Sequence, residues 1–257
     1  MSEFYVGYLP GPPPRLARFL RRVVAGLATL AIVIALALVR GQKPLPAATF
    51  EFGTPRDFEG VVAAKPYPTL LLARPGQVAG QTPYSSYLLV APGKHGADSL
   101  LAGFDGKRIR LRGQLIYRGS QTMVELEPDS IRLADASTTP ASELVSLGPI
   151  TLEGEIVDSK CYLGVMNPGQ GKVHRDCAAR CLSGGVPPIF AGTNGEQYVL
   201  VSPDLRPLTH GALREFVAER MRIHGELLRR GDQKLLAVDS QSLRHDSVAE
   251  QARSRPQ

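Results

Sequence analysis

The chain has 257 residues, no tryptophan and only three cysteines. Three cysteines cannot build a disulfide-dense scaffold. Walker A loop, dinucleotide-binding fingerprint, metalloprotease helix and nucleophile elbow are all missing. The glycine-rich stretch Gly164 to Gly171 lacks the strand, loop and helix order of a phosphate cradle. A strongly basic body is missing too. Of the formal +6, residues 1–40 carry +4, from five arginines against Glu3. Residues 41–257 hold 25 basic and 23 acidic side chains, so no nucleic-acid partner is expected. With 43% hydrophobic and 21% charged residues the chain is not disordered, and its length suits one or two domains at about 150 residues each.

One long apolar run is present. Val23 to Val39 is 17 residues without a charge, extended by Phe19 and Leu20 past Arg21 and Arg22, which can snorkel. As a helix it covers roughly 26 Å, enough for the thin end of a bilayer. The run is apolar all round and has basic flanks, which argues against a buried core helix of a soluble domain. A cleaved signal peptide would have a shorter apolar region and a small-x-small site, whereas Arg40-Gly41-Gln42-Lys43-Pro44 follows. Arg21-Arg22 also fits a twin-arginine export signal. The expectation is an uncleaved anchor at 19–40. Arg15, Arg18, Arg21 and Arg22 precede it and only Arg40 and Lys43 follow closely. The positive-inside rule then keeps residues 1–18 cytoplasmic and exports the rest to the periplasm across a bacterial inner membrane. Gly11-Pro12-Pro13-Pro14 is expected to be extended and not to start a helix.

The remainder reads as a duplication. Phe58 to Val62 parallels Leu152 to Ile156, Tyr87 to Pro92 parallels Tyr198 to Pro203, and Arg110 to Leu115 parallels Arg222 to Leu227. Gly119 then matches Gly231, and Asp129 to Arg132 matches Gln241 to Arg244. The offset grows from 94 to 111 and 112, so the second copy has about 17 extra residues between its first two blocks. Arg108-Ile109-Arg110-Leu111-Arg112 alternates as a half-buried strand does. Gly113 and Gly225 predict a bulge or bend, and a helix is expected over His210 to Glu219. The fold class is therefore mostly β. After the transmembrane helix come two tandem OB-like barrels, at 49–138 and 148–246, and a flexible tail at 247–257. A twisted sandwich is the structural alternative. The linker is about Ala134 to Leu147.

All three cysteines fall in the extra segment, 158–188, in the pattern C-x12-H-x2-C-x3-C. A helix is expected from His174 to Ser183, stopped by Gly184-Gly185 and Pro187-Pro188. It would put His174, Cys177 and Cys181 on one face, while Cys161 returns towards them through a turn at Met166 to Gly169. Four N/S donors at one point suit zinc, copper or iron, with Cys161, His174, Cys177 and Cys181 as ligands and Met166 as a further thioether for copper. Two other readings stand beside this one. Cys161 could form a disulfide with Cys177 or Cys181 and staple the insert. Alternatively Cys177, near a helix N-terminus and His174, could be the nucleophile of a thiol oxidoreductase, with Cys161 or Cys181 resolving. Asp158 and Lys160 read as a surface pair, Tyr162 as core, and Arg175, Asp176 and Arg180 as a solvated helix face. His95, His210, His224 and His245 stand singly.

The runs Cys161-Tyr162-Leu163-Gly164-Val165-Met166-Asn167-Pro168-Gly169 and His174-Arg175-Asp176-Cys177-Ala178-Ala179-Arg180-Cys181 are followed by Gly184-Gly185 and Pro187-Pro188. Together they resemble a group of exported or membrane-anchored bacterial proteins without a settled activity. Phe4 to Pro10 looks like part of the same group. The resemblance implies an envelope location and a special Cys/His segment, and no reaction. The expectation is a non-enzymatic accessory or carrier subunit beside a membrane-bound redox or assembly complex. The alternative is a protein- or glycan-binding module whose cysteines only staple the insert.

Overall fold

The computed structural model describes residues 11–42, 47–75, 84–134, 144–208 and 210–243. The chain divides into two compact units, Met1–Leu45 and Pro46–Gln257. The expected tail at 247–257, His245 and the Phe4 to Pro10 motif lie outside the described residues.

The first unit is helix α1, Pro14–Gly41, 28 residues with none buried. It is long and apolar enough to cross a membrane. Contrary to expectation, the proline run does start this helix. Pro13 is extended (φ −52°, ψ 148°), and Pro14 takes the first helical position, where a missing N–H leaves no bond unmade.

The second unit holds two five-stranded barrels. The first has strands β1 (Arg56–Ala63), β2 (Thr69–Ala73), β3 (Tyr84–Ala91), β4 (Arg108–Arg118) and β5 (Gln121–Leu126). The second has β6 (Leu144–Asp158), β7 (Pro188–Gly192), β8 (Gln197–Val201), β9 (Arg220–Arg230) and β10 (Gln233–Ala237). In each, the first strand pairs antiparallel with the second and fourth, the third pairs with the second, and the fifth with the fourth. Third and fifth strands run parallel, Tyr87 opposite Thr122 and Val199 opposite Leu235, which closes both barrels in OB order. The first three pairs of matched blocks fall on equivalent strands, and Gly119 and Gly231 both turn at positive φ (57° and 62°).

Alternation decides which side chains enter each barrel. Ile109 and Leu111 are buried beside exposed Arg110 and Arg112, and Met221 and Ile223 of the second barrel are buried beside exposed Arg220, Arg222 and His224. Gly113 is not a bulge, since its register with Arg56 and Leu126 is unbroken. It is a close approach: a Cβ there would lie 2.6 Å from the Glu125 carbonyl oxygen, and one on Gly225 would lie 2.5 Å from that of Ala237. The register shift in β9 comes later, between Leu227 and Leu228. The helix expected over His210 to Glu219 is only one turn, α3 (His210–Leu213). Val217 instead bridges to Ile156, and Ala218 donates its N–H to the Ile156 carbonyl at 2.8 Å, so the sheet takes over this backbone.

Each barrel has its own apolar core, and a third cluster joins them. There Leu88, Ile116 and Met123 of the first barrel meet Val157, Leu163 and Val199 of the second. Polar ties cross the same seam. The Tyr67 hydroxyl donates to the Leu200 carbonyl (2.9 Å) and accepts from the Leu208 N–H (3.0 Å). Asp232 pairs with Arg74 at 2.7 Å and accepts from the Ser86 N–H at 3.0 Å.

Candidate metal centre

The segment between β6 and β7 packs into this seam. Asp158 and Lys160 are not the surface pair their spacing suggests; their side chains are 0% and 3% exposed. Lys160 points into the first barrel, where its Nζ donates to the carbonyls of Ala91 (2.9 Å) and Gly93 (2.5 Å) and pairs with Glu125. The next residues, Cys161–Val165, form one wide helical turn closed by the Met166 N–H on the Cys161 carbonyl at 3.1 Å. Tyr162 is core, as expected, and the Arg118 guanidinium lies 4.1 Å from its ring centroid. Gly164 sits against the backbone of Thr49, where a Cβ would come within 2.2 Å of the carbonyl oxygen.

The turn after Met166 folds the chain back as the sequence predicts. Gly169 is packed on the Cys161 backbone, and Gly171 donates its N–H to Glu155 at 2.8 Å. Helix α2 then runs Arg175–Ser183 with His174 as its N-cap. It stops at Gly184 because the chain must pass the first barrel there. The Gly184 carbonyl accepts from the Gly96 N–H at 2.9 Å, and a Cβ on Gly184 would lie 1.8 Å from the Lys94 carbonyl oxygen.

These contacts bring the three thiols together. Cys161 Sγ is 3.9 Å from Cys177 Sγ and 3.9 Å from Cys181 Sγ, and all three sulfurs lie within 4.8 Å of one another. Each is a free thiol. Cys161 and Cys181 are buried, while Cys177, in the first turn of α2, is half-buried. His174 joins a neighbouring group. Its Nε2 is 3.0 Å from Asp158 Oδ2, and with Asp158 and Cys161 it forms a second set of donors within 4.8 Å. The other Asp158 oxygen accepts from the Cys161 N–H at 2.8 Å. Met166 is 44% exposed at the end of the turn. Asp176 and Arg180 are exposed as expected, and Arg175 reaches Glu219 at 2.9 Å. His224 lies on the outer face of β9, 2.7 Å from Thr151.

Sequence reasoning missed Lys94. It sits in the tight turn between β3 and the His95–Gly96 pair, where Gly93 takes a positive φ of 73°. Its Nζ lies 2.7 Å from Cys177 Sγ and 3.8 Å from Cys181 Sγ. The hydrogen bond to Cys177 holds the ammonium in its charged form, above the usual lysine range. The buried pair Cys161 and Cys181 share a 3.9 Å sulfur–sulfur hydrogen bond in which either thiol can donate. That bond, with burial and the Asp158 carboxylate, pushes the Cys161 thiol well up. The same bond, aided by Lys94, draws the Cys181 thiol down.

Two thiolates on one ion at about 2.3 Å stand about 3.8 Å apart in tetrahedral and about 4.0 Å apart in trigonal coordination. The two 3.9 Å edges from Cys161 match either geometry, so these sulfurs already stand at the spacing of thiolates on one ion. No family model matches this chain, and neither a curated protein nor a solved structure matches it.

Proposed function

We propose that this is a membrane-anchored protein of the bacterial envelope whose second barrel presents a thiol-rich metal site, serving as a carrier or accessory subunit of a membrane redox or assembly complex. The observation that carries the reading is the meeting of Cys161, Cys177 and Cys181 within 4.8 Å, drawn from two elements of one insert. Soft thiolates select copper(I), zinc or iron over hard cations. The half-buried Cys177 brings one thiol of the three towards solvent, which suits transfer to a partner better than a fully buried structural site does. α1 supports the anchor, and the arginines before it support a cytoplasmic N-terminus with both barrels in the periplasm. The resemblance of the Cys/His segment to exported bacterial proteins supports the same location.

The test is elemental analysis of the full chain purified in detergent from the bacterial envelope, beside a Cys161→Ser variant. About one ion per chain, lost in the variant, is expected, and an ion-free chain after reconstitution with copper, zinc and iron would sink the reading. A periplasm-active reporter fused after the last residue checks orientation; activity there is expected, and activity of a cytoplasmic reporter instead would reverse it.

One observation favours a second reading, thiol–disulfide exchange. Cys177 is half-buried, lies in the first turn of a helix and faces an ammonium at 2.7 Å, with Cys161 3.9 Å behind it as resolving thiol. That reading requires Cys177 to alkylate fastest of the three at neutral pH. A Cys177 as slow as the buried pair rules it out.

A further inference from the structure

Which ion the site takes can be argued from what surrounds the three sulfurs. Among the described histidines, cysteines and carboxylates, only the thiols themselves lie within 4.8 Å of all three sulfurs. His174 is grouped with Cys161 and Asp158 but not with Cys177 or Cys181. The open flank, beside the Cys177–Cys181 edge, is held by Lys94 Nζ at 2.7 Å and 3.8 Å. An ammonium has three donors and no lone pair, so it cannot coordinate a metal. Its charge stands beside two of the three sulfurs and disfavours a further ligand entering along that edge. Zinc in protein sites requires four ligands, the fourth being water where the protein supplies three. Copper(I) is satisfied by two or three soft ligands and gains nothing from a fourth hard one.

Lys94 is fixed in that position. The carbonyl of the preceding Gly93 accepts from the buried Lys160 ammonium at 2.5 Å, and the Lys94 carbonyl packs on Gly184 at the end of α2. The first barrel therefore contributes to the site although it contains no cysteine.

We infer that the site is a three-thiolate copper(I) site formed by Cys161, Cys177 and Cys181, with His174 outside the coordination shell and Lys94 of the first barrel closing the fourth direction. This inference rests on the metal-site reading above and selects one ion and one donor set within it. Lys94 is a positioning and selectivity residue; it touches two ligands and not the ion.

The experiment titrates the full chain in detergent, under reducing anaerobic conditions, with copper(I) against a chromogenic copper(I) chelator and, separately, with zinc against a zinc dye. One copper(I) per chain is expected. Each single Cys→Ser substitution should weaken it more than about 100-fold, and His174→Ala less than about tenfold, the lower end for an outer-shell partner. Zinc should bind no tighter than about micromolar, with Lys94→Ala strengthening zinc relative to copper(I) by more than about tenfold. Zinc held at nanomolar affinity and lost in His174→Ala would overturn the inference. It would make the site a four-donor zinc centre and leave the broader metal reading standing. Failure of both ions to bind overturns both readings. Circular dichroism of each variant distinguishes a lost ligand from a lost fold.

Discussion

Lys160→Met removes a buried cation that ties the insert to the first barrel. In the wild type its ammonium is 3% exposed, pairs with Glu125 and satisfies two carbonyl oxygens, those of Ala91 and Gly93. Methionine fills nearly the same volume, so the loss is electrostatic rather than a cavity. It leaves the Glu125 carboxylate, itself 13% exposed, without its counter-charge. Breaking a buried pair from one side costs about 3–5 kcal/mol. With a urea m-value of about 2 kcal/mol/M, the midpoint of unfolding should fall by about 1.5–2.5 M. Far-UV circular dichroism is the assay, since the chain has no tryptophan to report. Lys160→Met with Glu125→Leu removes both charges and should recover most of the loss, because replacing a whole buried pair by apolar groups is often near neutral. A midpoint shift below about 0.5 M, or a double variant no more stable than the single one, would refute the claim that this pair holds the insert in place.

Three further outcomes follow from the same seam. Tyr67→Phe deletes a hydroxyl that bonds to Leu200 and Leu208, and should cost about 1–3 kcal/mol in urea unfolding; no loss means that water replaces it. Burial holds the Tyr67 phenol protonated, raised above its ordinary value of 10.0. Its contribution is therefore complete below pH 10 and is lost above it, by up to about 1.4 kcal/mol per pH unit, and Tyr67→Phe should flatten that part of the stability–pH curve. Gly184→Ala would put a methyl 1.8 Å from the Lys94 carbonyl oxygen, so the insert must shift. Destabilisation of about 1–3 kcal/mol and a slower Cys177 alkylation are expected, and unchanged stability would contradict the tight packing described.

The barrels were legible because their signals are local. Period-two alternation at Arg108 to Arg112, the matched blocks and the turn glycines all lie within short windows; the first three pairs of blocks fall on equivalent strands, and the glycines fall in the turns between strands. Helix α2 was legible for the same reason, since Gly184-Gly185 ends it within one residue of the expected place. The seam was not legible. Asp158 and Lys160 look like a surface pair until another barrel covers them, and burial from outside the local window leaves no trace in spacing. Lys94 lies 83 residues from Cys177, in a polar loop of a copy that has no cysteine, and only the glycines on either side mark its turn. His174 shares the helical spacing of a ligand, yet Asp158 at the end of β6 claims its ring, a pairing that periodicity along α2 cannot show. The helix expected beyond Leu213 failed because a bridge between Val217 and Ile156 outweighs local helical preference.

X-ray absorption at the edge of the bound metal, on the full chain loaded with copper(I), tests the central claim most directly. The account predicts a first shell of three sulfurs at about 2.3 Å with no nitrogen or oxygen. A shell containing imidazole nitrogen, or fewer than three sulfurs, would contradict the three-thiolate site.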